Sequence, residues 1–80
     1  MDRETARTLA VAAIKGSSLL TSVLPALKEK CAPAEYAELR AAVSTVAADI
    51  SINVLRRVFR AYPDLEGELD AAIQGGKPLD

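Results

Sequence analysis

The sequence predicts an all-α fold: a long antiparallel helical hairpin plus a short C-terminal helix, closed into a four-helix bundle as a dimer. Three observations predict it. Apolar residues recur at steps of three and four along two long stretches. Hydrophobic residues make up 50% of the chain, and alanine, the strongest helix former, supplies much of that share. The second stretch carries two apolar faces, more than one neighbouring helix can cover.

Helix 1 is expected over about residues 2–30. Ala6, Leu9, Ala13, Gly16, Leu20, Leu24, Leu27 and Cys31 fall on one stripe, widened by Leu19 and Val23. Glu4, Thr8, Lys15, Ser18, Ser22 and Glu29 fall on the other side. Gly16-Ser17-Ser18 weakens the middle. Pro25 removes an amide donor and crowds the carbonyl of Thr21. The stripe keeps phase across both points, so the expectation is one helix with a bend near Pro25, and not two helices meeting near Gly16. The small residues Ala10, Ala13, Gly16 and Ser17 would let a second helix approach closely.

Cys31-Ala32-Pro33 reads as the turn, because proline suits the first helical position and Glu35 complements the helix dipole. Helix 2 is expected over about 33–61, ended by Tyr62-Pro63. Tyr36, Leu39, Val43, Val46, Ile50 and Val54 form its main stripe, flanked by Ala47 and Val58. Ala37, Ala41, Ala48, Ile52, Leu55 and Phe59 form a second face, more than 100° away at about 100° per residue. A narrow polar strip of Glu35, Glu38, Thr45, Asp49, Arg56 and Arg60 remains. Asn53, at the stripe margin, either fixes register as a buried asparagine or faces water beside Arg57. Helix 3 is expected over about 63–74, with Leu65, Leu69 and Ile73 on one line, docked against Leu55 and Phe59. Gly75-Gly76 is a natural stop, leaving a frayed tail over 75–80. Residues 1–80 thus read as a single helical domain.

A chain of 80 residues with one phenylalanine and two tyrosines has a thin core as a monomer, and association is the remedy. The second face of helix 2 (Ala41, Ala48, Ile52, Leu55 and Phe59) is the expected self-association interface, and a two-fold dimer is the simplest closure.

The net charge of −1 gives no bulk field for nucleic acid or an acidic membrane. One cysteine and no histidine exclude an internal disulfide, zinc and haem sites within one chain, and Cys–His or Ser–His nucleophiles. No acidic cluster has calcium-loop spacing, so no metal or cofactor is expected. Glu35 and Glu38 read as a solvated face, Cys31 as a structural thiol, and Gly16-Ser17-Ser18 matches no phosphate loop. An enzyme is therefore not expected. Asp2, Glu4 and Lys15 spoil a signal peptide, and the uncharged stretch 16–27 is too short to span a bilayer, so the cytoplasm is the expected location.

The one local anomaly is Arg56, Arg57 and Arg60, followed directly by Asp64, Glu66, Glu68 and Asp70. Mutual neutralisation is the expectation: the acidic segment folds back, or reaches across a dimer, and pairs with the arginines. An anion or nucleic-acid patch at the arginines is the alternative, though Arg57 points away from Arg56 and Arg60. The leading functional reading is a non-enzymatic protein-interaction or regulatory module acting as a homodimer. A bundle that takes a small apolar ligand between its helices is the other alternative.

Overall fold

The computed structural model describes residues 1–79. It is all-α: α1 spans Arg3–Thr21, α2 Leu24–Lys30 and α3 Pro33–Asp49. Wide, π-helical turns over Ile50–Leu55 lead into α4, Arg56–Ala61, and α5 covers Pro63–Gln74. α1 lies along α3, the wide turns and α4, while α2 touches α3 and α5 touches α4.

α1 begins where Asp2 caps it. The Thr5 amide donates to Asp2 Oδ1 at 2.7 Å, and the bonds to Thr5 hold the Asp2 carboxyl below its usual range. The helix runs unbroken through Gly16. Its ladder stops at Thr21, because Pro25 has no N–H to give to the Thr21 carbonyl. Ser22 and Val23 keep right-handed angles across the gap, and Pro25 stands in the first turn of α2. The inward line is Ala6, Ala10, Ala13, Ser17, Leu20, Leu24 and Leu27. Leu9 and Gly16, placed on that stripe by the sequence, are exposed, and the space where a Cβ of Gly16 would sit is open. Gly16 therefore makes no close helix crossing, whereas Ala6 and Ala10 have no exposure at all.

α3, the wide turns and α4 form one long second helix. Its inward line is Tyr36, Val43, Ala47, Ile50, Val54 and Val58. Leu39 and Val46, expected at the centre of the stripe, are 38% and 48% exposed. The wide turns explain the later part of that line. In an α-helix, steps of four residues drift by about 40°. Here Arg56 donates its amide to the Ser51 carbonyl, five residues back, so each turn holds more residues. The drift is taken up, and Ile50, Val54 and Val58 stay on one line. Asn53, within these turns, is exposed, so a buried register role for it does not arise.

α5 ends on a Schellman arrangement. Lys77 N–H donates to the Ala72 carbonyl, Gly76 N–H to that of Ile73, and Gly76 has φ +69°. Leu79 is half-buried against the core, and Arg7 Nη2 donates to its carbonyl at 2.6 Å. Asp80, the end of the expected tail, lies outside the described residues.

The buried core is small: Ala6, Ala10, Val11, Val58, Leu65 and Leu69. Ile14, Leu55, Phe59, Tyr62 and Leu79 lean on it. The core thus sits at one end of the molecule, where the start of α1, α4 and α5 meet. The molecule measures 45 × 25 × 15 Å, and its radius of gyration of 14.8 Å exceeds the roughly 11.6 Å of a compact domain this long.

Candidate functional site

The acidic segment of α5 splits between two faces. Asp64 and Glu68 are four residues apart and so share one side of the helix. They meet Arg3 and Arg7, also four apart, on α1. Arg3 Nε donates to Asp64 Oδ2 at 2.9 Å, Arg3 Nη2 to Glu68 Oε2 at 2.8 Å, and Arg7 Nε to Glu68 Oε1 at 3.1 Å. Arg3 holds the Asp64 carboxyl below its usual range, and Arg3 followed by Arg7 does the same for Glu68. Nearby, the Tyr62 hydroxyl donates to the Met1 carbonyl at 2.7 Å. These bonds fix α5 to the N-terminus of α1.

This arrangement corrects the expected neutralisation of Arg56, Arg57 and Arg60 as far as it would come from a fold-back within the chain. The carboxylates of Asp64 and Glu68 are spent on α1, and no ion pair reaches the three arginines among the described residues. The physical reason is the turn at Tyr62-Pro63. It lays α5 so that its Asp64–Glu68 side faces α1 and not the arginines. The signal was present in the sequence as two charge pairs, each at a spacing of four, on elements far apart in the chain.

Glu66 and Asp70, the other pair, point to a different place. With Arg56 and Arg60 they border an open groove of about 580 Å³ between the second helix and α5. Ser51, Ile52, Leu55 and Phe59 line the rest of it. One helix therefore supplies two cations, the other two anions, and the lining between them is mainly apolar. Arg57 does not line the groove, in keeping with its different helical phase.

The second apolar face of the long helix is divided by the wide turns. Ala37, Ala41 and Ala48 are exposed, and Ile52 is 50% exposed. Leu55 and Phe59 are half-buried and lean on the core. Of the expected self-association residues, Ala41, Ala48 and Ile52 thus stand free on the surface, while Leu55 and Phe59 also serve the fold. In the docking of α5, Leu65 and Leu69 are buried as the sequence suggested, but Ile73 is 51% exposed.

Ala6 and Ala10 of α1 are buried in one core cluster with Val58, Leu65 and Leu69. Cys31 is half-buried at the end of α2, and Glu35 together with burial pushes its thiol up. Among the described residues, no three ligating side chains gather in a group that could hold a metal ion. Taken together, Arg3–Lys30 is long and apolar enough to cross a membrane, with a mean hydropathy of 1.5 over its most apolar part, of which 11% is buried. No protein-family model, curated protein or solved structure matches the chain.

Proposed function

We propose that the chain is a non-enzymatic interaction module that works as a homodimer. Its second helix joins that of another copy through Ala41, Ala48 and Ile52, and the two helical hairpins complete a four-helix bundle. One observation carries the reading. The chain exposes 5622 Å², roughly 1,000 Å² more than a compact monomer of its mass. A standard interface covers about 800 Å² on each partner. The excess is thus the size of one such surface, and an apolar line of alanines ending in Ile52 lies along the longest helix.

Light scattering coupled to size exclusion tests this at tens of micromolar. The wild type is expected to run as a dimer. Ile52→Glu and Ala41→Glu, both at exposed positions, are expected to give a folded monomer, since a buried unpaired charge is costly at an interface. A monomeric wild type sinks the proposal.

A second reading rests on the unpaired state of Arg56, Arg57 and Arg60, which would suit an anion or nucleic acid. Glu66 and Asp70 on the facing wall oppose it. Tight binding of duplex DNA at physiological salt, with a steep salt dependence, would put this reading first.

A further inference from the structure

The groove beside α5 is self-complementary. Its basic wall, Arg56 and Arg60, belongs to α4, and its acidic wall, Glu66 and Asp70, to α5. None of these four charges forms an ion pair within the chain among the described residues. Ile52, 50% exposed, belongs to the lining of the groove, one turn before Arg56. A two-fold axis can relate two such grooves face to face in two ways. If the axis runs across the groove, basic wall meets basic wall. If it runs along the groove, each basic wall meets the partner's acidic wall. Like charges set opposite each other repel and opposite charges steer the encounter, so the charges select the second arrangement.

We infer that two copies meet groove to groove about an axis parallel to the groove, with Arg56 and Arg60 of each copy facing the acidic wall of the other. The inference rests on the homodimer reading and adds to it the register and orientation of the contact. In this arrangement the two copies of α4 run parallel. The apolar lining supplies the attraction, and the flanking charges decide which of the two orientations forms.

Charge exchange between copies tests it. Arg56→Glu/Arg60→Glu is made as one variant and Glu66→Arg/Asp70→Arg as another, with a third chain carrying all four changes. Sedimentation gives the dimer affinity of each, circular dichroism checks that each is folded, and native mass spectrometry identifies mixed dimers. Each double variant alone is expected to dimerise at least tenfold more weakly than wild type. An equimolar mixture of the two is expected to recover a heterodimer, because one chain then has two acidic walls, the other two basic walls, and every wall again meets its opposite. The four-change chain is expected to dimerise with itself. If the mixture stays monomeric while the four-change chain recovers, the charges act within one chain and the inference is overturned. If both double variants dimerise like wild type while Ile52→Glu does not, the homodimer stands and this orientation falls. A monomeric wild type removes both. Should a charge-reversed variant lose helicity, Arg56→Gln/Arg60→Gln, Glu66→Gln/Asp70→Asn and their combination replace it. Losses that add, with no coupling in the dimer affinity, then overturn the inference.

Discussion

Arg3 donates through Nε to the carboxylate of Asp64 at 2.9 Å, across 61 residues of sequence. The pair joins the first turn of α1 to the first turn of α5, and the same guanidinium reaches Glu68 one turn further on. Both carboxyls are held below their usual range by it. A group whose folded-state pKa is depressed adds stability above its unfolded value, and that stability is lost as pH falls through the folded value. Hydrogen exchange of α5 amides should therefore speed up in wild type as pH drops below about 4, after correction for intrinsic rates. In Asp64→Asn/Glu68→Gln that acid response should be flatter. An identical response in the two proteins would deny the pairing its role.

The buried leucines of α5 carry more weight than its charges. Leu65 has no exposure and Leu69 1%. Leu65→Ala should cost about 2–5 kcal/mol, a large part of the stability of so small a domain. Urea unfolding followed by circular dichroism measures it. A loss under about 1 kcal/mol would mean that α5 is not docked as described.

Three glycines should respond to alanine with two signs. Gly16 and Gly67 lie within helices, with nothing within 4 Å of an added Cβ. Gly16→Ala and Gly67→Ala should each stabilise by roughly 0.5–1 kcal/mol. Gly76 has φ +69°, a left-handed backbone that closes α5. Gly76→Ala should destabilise by roughly 1–2 kcal/mol. Thermal melts of the three variants check the order.

Cys31 should be a slow nucleophile. Glu35 is the main cause that raises its thiol, with burial second. The thiolate is the reactive form, so modification by a disulfide reagent at neutral pH should be slower than for free cysteine. Glu35→Gln should quicken it. Cys31→Ala should leave helix content and assembly intact. A Cys31 that outpaces free cysteine would contradict the assigned surroundings.

The helical character of nearly every segment was legible in the sequence, because it follows from spacing and from local punctuation. Pro33, Pro63 and the Gly75-Gly76 pair act within a few residues of themselves, and the start of α3 and both ends of α5 lie beside them. Pro25 was legible as a disturbance as well. Its effect on the ladder falls at Ser22 and Val23, just ahead of it, since the missing donor serves a carbonyl four residues back.

The finer pattern was not legible, for two physical reasons. Spacing along the chain implies straight α-helical phase through the second helix, and the wide turns over Ile50–Leu55 alter it. Leu55 and Phe59 lean on the core while Ala37, Ala41, Ala48 and Ile52 remain outside, which splits what reads as one face. Proximity in sequence also points Arg56, Arg57 and Arg60 to the acids that follow them, whereas Asp64 and Glu68 meet Arg3 and Arg7 in space.

By itself, the sequence determined that this protein is all-α, because helix formation, capping and termination are decided by neighbours within about one turn. Only the tertiary structure decided which charges meet. The direction of α5 after Tyr62-Pro63 gives Asp64 and Glu68 to Arg3 and Arg7, and leaves Glu66 and Asp70 across a groove from Arg56 and Arg60. An ion pair depends on distances of a few ångströms in space, and a spacing along the chain fixes those only within one element.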